Sequence, residues 1–274
     1  MTFEADLRSI AARWSPSARW TVVTGAGVSA ASGVPTFRGS TAFDPPLSRD
    51  QDSSYRRPSA DVAYGRGSAV GGRLRPEELA TPEAFSRDPR RVWEWYDWRR
   101  QRIAAARPNR AHEVLASWSQ RQTGFRLITQ NVDGLHERAG TARVIRFHGS
   151  IWDMRCVNSC GGAGSRWTDT RAPLPEIPVR CPDCRGLARP GVVWFGEAIG
   201  AEALAEAQEA LECDLCLVVG TSSVVYPAAG LASQARQRGA WTVEINPEPG
   251  AADVDLVIAG KAEEVLDKID SLIH

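Results

Sequence analysis

The chain has 274 residues, 43% of them apolar, enough for the core of one large domain or of a large domain with a small one. Its 33 basic and 33 acidic side chains cancel, so no electrostatic preference for nucleic acid or an anionic membrane surface is implied. No apolar run approaches the roughly 18 residues of a membrane span. Met1 to Trp14 form a short amphipathic pattern with Glu4, Asp6, Arg8 and Arg13 and lack the apolar core of a signal peptide, so the expected location is cytoplasmic. Only Lys261 and Lys268 are lysines, which leaves few sites at which the protein could itself be acylated.

Trp20 to Thr24 reads as a buried strand, and Gly25-Ala26-Gly27-x-Ser29-Ala30 as a glycine-rich turn into a helix. Such glycines let the backbone approach a pyrophosphate, and the helix N-terminus adds N–H donors. The acidic residue usual about 20 positions further on is not evident, so a plain tight turn stays open. Ser40 to Gly72 is polar and rich in Gly and Pro, and it reads as a long loop, either a lid or docking segment or a tolerated surface insertion. Thr81 caps a helix with Pro82 in its first turn. A second helix follows Asp88-Pro89 and runs from about Arg90 to Ala106. Its tryptophans are most simply packing residues and Arg99, Arg100 and Arg102 a solvated face, but Tyr96 and Arg99 are three apart and share one side. Asn109 to Gln120 reads as another helix.

The strand Arg126-Leu127-Ile128 leads into Thr129-Gln130-Asn131-Val132-Asp133-Gly134-Leu135-His136, which presents amides and a carboxylate at a strand's C-terminal end, where open α/β sheets bind ligands. The strand Val144 to Phe147 ends at His148, whose imidazole suits a general base. Polar capping of two strands is the plainer alternative. Cys156-x3-Cys160 and Cys181-x2-Cys184, joined by 20 residues rich in Gly and Pro, suit structural zinc, with disulfides as the alternative. Four thiolates would leave the metal no open position, and it would hold a small module short of apolar residues for a core of its own. Cys213 and Cys216 read as packed thiols or a redox pair. Gly191 to Glu197 reads as a strand, Ala201 to Leu211 as a helix, Leu215 to Gly220 as a strand ending at Thr221 and Ser222, and Pro227 to Arg238 as a helix. Trp241 to Ile245 is a strand tipped by Asn246-Pro247-Glu248; Val254 to Ile258 is the last strand and Lys261 to Ile269 the closing helix. Alternating strands and helices give an α/β fold with a doubly wound, Rossmann-like parallel sheet.

The run Gly25 to Gly39, the block Thr129 to Asp133, Phe147-His148-Gly149, Gly220-Thr221-Ser222, Asn246 and the four paired cysteines follow one another in an order that resembles the sirtuins, the NAD-dependent protein lysine deacylases. The resemblance covers nearly the whole chain, from about Arg19 to about Leu266. Two departures stand out: the region after Thr36 is roughly 25 residues longer than the family pattern, and the first cysteine pair has three intervening residues where two are general.

The resemblance implies a discontinuous NAD-binding domain (1–39, 109–150 and 191–274), a loop and helical module (40–108) and a zinc-binding module (151–190). It implies NAD held by Gly25, Ala26, Gly27, Ser29, Ala30, Gln130, Asn131, Asp133, Gly220, Thr221, Ser222, Asn246, Pro247, Glu248 and Ala262. Thr36, Phe37 and Arg38 would belong to a loop closing over the nicotinamide ribose. His148 would be the base, assisted by Asn131 and Asp133, and Cys156, Cys160, Cys181 and Cys184 would bind one structural zinc. Acylated-lysine proteins would bind as an added strand along Val193, Phe195, Gly196 and Glu197. The products would be free lysine, nicotinamide and O-acyl-ADP-ribose. Tyr96, Arg99 and the small Ala80 resemble the branch that removes succinyl and malonyl as well as acetyl groups, since a guanidinium grips a carboxylate well. A plain deacetylase, a protein ADP-ribosyltransferase using the same cofactor cleavage, and a non-catalytic NAD-binding or zinc scaffold remain as alternatives.

Overall fold

The computed structural model describes residues 2–34, 76–161, 165–222, 226–250 and 253–273. The expectations for Thr36, Phe37, Arg38 and the Ser40 to Gly72 loop lie outside them. Six parallel strands form the main sheet: β1 (Trp20–Thr24), β2 (Arg126–Thr129), β3 (Val144–Arg146), β7 (Leu215–Val219), β8 (Trp241–Asn246) and β9 (Leu256–Ala259). Their order is β3-β2-β1-β7-β8-β9. The direction of winding reverses between β1 and β7, and a crevice opens at such a switch point beyond the strand ends. β1 and β7 are buried at every position, as the centre of a sheet covered on both faces requires.

One face carries α1 (Phe3–Ala11), α5 (Arg110–Arg121) and α9 (Ala262–Ile273). Leu7, Ile10, Leu115, Trp118, Leu266 and Ile269 pack there on Trp20, Val22 and Leu217. The other face carries α7 (Ala201–Ala210) and α8 (Leu231–Gln237), whose alanines let them lie close to Val23, Ile128 and Val218. The turn after Gly25 is a 3-10 helix (Ala26–Ser32), and α8 begins only after a short 3-10 turn at Ala228–Gly230.

A second, antiparallel sheet is ordered β5-β4-β6, from β4 (Gly149–Cys156), β5 (Arg166–Thr168) and β6 (Ala188–Val192). The strand expected over Gly191 to Glu197 therefore lies upstream, ending at Val192, because Gly149 pairs with Val192 and Cys156 with Ala188. The cysteine module packs on the helical segment. Its Ile151, Met154 and Leu174 share one core with Leu79, Phe85, Trp93, Trp95 and Tyr96 of the helices α2 (Pro76–Leu79), α3 (Pro82–Arg87) and α4 (Pro89–Ala105). Thr81 and Asp88 cap α3 and α4 through their side chains, each followed by a proline in the first turn.

Arg100 departs from the solvated face expected of it. It is fully buried and donates to the main-chain carbonyls of Ile151 (2.6 Å), Asp169 (2.5 Å) and Arg171 (2.9 Å), which replace its water. It also lies over the Trp152 ring. One guanidinium thus staples α4 to the second sheet. Among the described residues no helix is long and apolar enough to cross a membrane.

Candidate active site and cysteine centre

The loops that leave β1 and β7 interlock at the switch point. Gly25 N–H donates to Val219 O (3.1 Å) and Gly27 N–H to Gly220 O (2.8 Å). A Cβ on Gly27 would stand 2.7 Å from Gly220 O, and one on Gly220, at φ +60°, 2.6 Å from Val28 N. The glycines are required here by backbone packed on backbone, which leaves the crevice mouth lined by main chain.

A latch of amides spans the neighbouring strand ends. Gln130 Nε2 donates to Thr221 Oγ1 (3.0 Å), and Asn246 Nδ2 donates to Thr221 O (2.8 Å). Asn131 Nδ2 donates to Gly25 O (3.0 Å) and to Ser29 Oγ (3.2 Å). Ser29 in turn donates to Asp133 Oδ2 (2.8 Å), and Leu135 N–H donates to Asp133 Oδ1 (2.9 Å). Burial pushes the Asp133 carboxyl up, against the pull of those two donors. Asn109, the cap of α5, donates its N–H to His112 Nδ1 (3.3 Å), so in a neutral ring the proton is on Nε2, 3.4 Å from Ser29 Oγ. Burial first, then the neighbouring His136, lowers His112 to about 3.

His136 is also buried and brought to about 3 by burial; its Nε2 meets Thr24 Oγ1 (3.0 Å), and among the described residues its Nδ1 has no partner. The sequence reading used neither histidine, although His112 stands three residues after the capping Asn109, a recognisable spacing.

His148 follows β3, at the same strand ends. Its Nδ1 lies 3.1 Å from Gln130 O. A carbonyl can only accept, so Nδ1 carries the proton and Nε2 presents a lone pair. Burial lowers the pKa, partly offset by that carbonyl. The ring is therefore neutral and basic at pH 7. Val193 N–H donates to His148 O (3.0 Å), tying the histidine to the end of β6.

Beside this crevice lie Tyr96, buried, and Arg99, half-buried over the Trp95 ring. Trp194 Nε1 donates to Tyr96 Oη (2.9 Å). Burial lowers Arg99 and raises Tyr96 to about 12; the fields of Tyr96 and Asp133 act on Arg99 in the opposite sense. Ala80 is buried in the same cluster, and its carbonyl accepts from Phe195 N–H (2.9 Å). The N–H groups of Val193, Phe195 and Glu197 are all engaged internally, and the segment turns at Phe195 and Gly196, which are exposed.

Ala30, Pro247, Glu248 and Gly196 are exposed, and Ala26 and Ser222 half-buried. The Ala262 methyl is buried in the core, so only its main chain, at the start of α9, can face a ligand.

The four paired cysteines converge. Their Sγ atoms all lie within 4.8 Å of one another, with Cys156–Cys184 at 3.5 Å and Cys160–Cys181 at 3.7 Å. A tetrahedral zinc with bonds of about 2.3 Å sets its sulfurs about 3.8 Å apart, and a disulfide would need about 2.05 Å. The donor set fits structural zinc and fills its shell. Ser159 (φ 45°) and Arg185 (φ 59°) turn the two cysteine loops through the left-handed region, the first absorbing the extra residue between Cys156 and Cys160. Burial raises Cys156, but N–H bonds from Cys160 and Asn158 and the Cys184 thiol bring it down to about 7, ready to bind as thiolate.

A model of the Sir2 family matches residues 68–227. The NAD-dependent protein deacylase of Aquifex aeolicus is 46% identical over 250 residues, covering 90% of this chain and 92% of the relative. Among solved structures, a Sir2 homolog–NAD complex aligns with a TM-score of 0.78 at 38% identity, over 98% of this chain and 93% of that one. A Sir2 protein solved with a deacetylated peptide and an acetyl ADP ribose aligns with a TM-score of 0.74 at 26% identity, over 99% and 98%.

Proposed function

The chain belongs to the Sir2 family, and from that premise we propose that it removes succinyl and malonyl groups, and acetyl groups as well, from protein lysines. Its reaction class is NAD-dependent protein lysine deacylation, for which its relatives are named. NAD supplies the ADP-ribosyl group that accepts the acyl oxygen. The glycine loops at Gly25, Gly27 and Gly220 receive its phosphates; Gln130, Thr221 and Asn246 fix the strand ends that hold the rest. Asn131 and Asp133, locked to Ser29, orient the reacting end, and His148 Nε2 takes a proton from a ribose hydroxyl. Zinc, held by Cys156, Cys160, Cys181 and Cys184, braces the second sheet and takes no part in the reaction.

The division that goes with this reading puts NAD on residues 1–39, 109–150 and 191–274, with residues 40–108 and 151–190 as the opposing lobe. The acylated protein lies along Val193 to Glu197.

The observation that carries the acyl class is the pair of Tyr96 and Arg99 beside the small Ala80. An acid-ended acyl group offers the half-buried guanidinium a carboxylate to bind, which a neutral acetyl group does not. A charge-assisted hydrogen bond contributes roughly 1.5–3 kcal/mol, on the order of 10- to 150-fold in preference. The test is kcat/KM for succinyl-lysine and acetyl-lysine peptides. The wild type should favour succinyl, and Arg99→Met should abolish the preference; equal losses on both substrates would remove Arg99 from the acyl site.

A further inference from the structure

We propose that Trp194 is a specificity-determining positioning residue: its indole N–H fixes the Tyr96 hydroxyl so that the phenolic proton points at the acyl group's carboxylate. This rests on the acidic-acyl reading above.

An indole N–H can only donate. Its 2.9 Å bond to Tyr96 Oη therefore uses the phenol as an acceptor. The phenol's own proton is left over, and among the described residues no acceptor receives it. Tyr96 is 2% exposed, so water does not solvate that proton freely. A buried O–H donor with no acceptor among the described residues, one helical turn from the half-buried Arg99, suits a carboxylate and not a methyl group.

The indole is itself held from both sides. Arg189 Cζ lies 3.3 Å from the ring centroid of Trp194. Arg189 grips Glu197 with two bonds, to Oε1 at 2.5 Å and to Oε2 at 2.8 Å. Glu197 Oε2 also accepts from Trp194 N–H (2.9 Å), and the Phe85 ring packs 5.2 Å from the indole. Turning the indole away would break the Tyr96 bond and disturb this stack together. Among the described residues Tyr96 has no other bond to choose its rotamer at the hydroxyl. Without the indole N–H, the phenol would be free to spend its proton elsewhere.

Trp194→Phe keeps an aromatic ring for Arg189 and Phe85 and removes the donor together with part of the indole's volume. The succinyl-to-acetyl ratio of kcat/KM should fall about tenfold, with the change in the succinyl KM. Zinc content, measured on the same samples, should stay near wild type, and the thermal transition should fall only modestly, by the packing that the smaller ring loses. Tyr96→Phe should lower the ratio by as much or more. The double variant should match Tyr96→Phe alone, because Trp194 acts only through the hydroxyl. If Trp194→Phe lowers both substrates in parallel, or its effect adds in full to that of Tyr96→Phe, the indole is merely structural. A succinyl-preferring wild type that loses its preference in Arg99→Met but keeps it in Trp194→Phe overturns this inference alone. A wild type without the preference overturns the acyl reading, and the inference with it.

Discussion

Trp152 Nε1 donates to the main-chain carbonyl of Asp133 at 2.8 Å. Trp152 belongs to the second sheet and Asp133 to the loop that follows β2 of the main one, and Gly134, at φ +78°, leaves only 3.3 Å between a Cβ and that same indole nitrogen. The cysteine-bearing sheet therefore touches the Asn131–Asp133 loop directly. Trp152→Phe keeps the ring beneath Arg100 and leaves the carbonyl unpaired. We expect kcat/KM for NAD to fall about five- to tenfold with zinc still bound; an unaltered value would mean that Ser29 and Leu135 hold Asp133 unaided.

His148 acts as a base only when neutral. Burial lowers its pKa below the ordinary 6.5, so activity should rise with pH along a limb centred below 6.5. His148→Tyr should cost about 10²- to 10⁴-fold or more in turnover, with the thermal transition near wild type. A variant within threefold of wild type, or an acid limb centred above pH 7, would assign the base elsewhere.

His112 and His136 make folding sensitive to acid. Both are held near 3 when folded and return to about 6.5 when unfolded. Between those values the unfolded chain binds more protons, so stability rises with pH through this window and levels off above 6.5. Each histidine contributes a slope of up to about 1.4 kcal/mol per pH unit, hence about 1 kcal/mol between pH 7 and 5.5. Urea denaturation at the two pH values should show the loss, and His136→Gln should reduce it by about half. Equal pH dependence in the two proteins would remove His136 as a source.

Purified protein should contain one zinc per chain. Cys181→Ala should release it and lower Tm, because binding free energy is folding free energy in such a module. Shared packing of Ile151 and Met154 with Trp93 and Trp95 should keep the second sheet from unfolding entirely. Zinc-free wild-type protein on elemental analysis, or a Cys181→Ala variant that retains the ion, would contradict the four-cysteine assignment.

Much of the main sheet was legible because its strands are continuous apolar runs ending in glycine or amides, as at β1 and β7. The cap at Thr81 and the helix start at Asp88-Pro89 were legible for the same local reason: a short polar side chain stands before the helix, with a proline after it. Arg100 was not. Its surroundings come from carbonyls 51 to 71 positions away, and nothing in the helical pattern distinguishes it from a solvated neighbour. The strand shift from Gly191–Glu197 to Ala188–Val192 has a similar origin: Pro190 argues against a strand locally, and only pairing with β4 overrides it. The partner of Tyr96 lies 98 residues away and was equally invisible.

The interlocked glycine loops also constrain the order of folding. Beside the pairing of β1 with β7, Arg19 meets Asp214 across 195 positions of sequence, with the helical segment, half the main sheet and the whole second sheet between them. Closing so long a loop carries an entropic cost that nearby contacts must offset first. The two halves of the sheet should therefore form before they join, and the crevice should be the last region to mature. Pulsed hydrogen-exchange labelling during refolding should find the amides of Gly25 and Gly27 protected after those of β8 and α5; simultaneous protection would show that the sheet closes in one step.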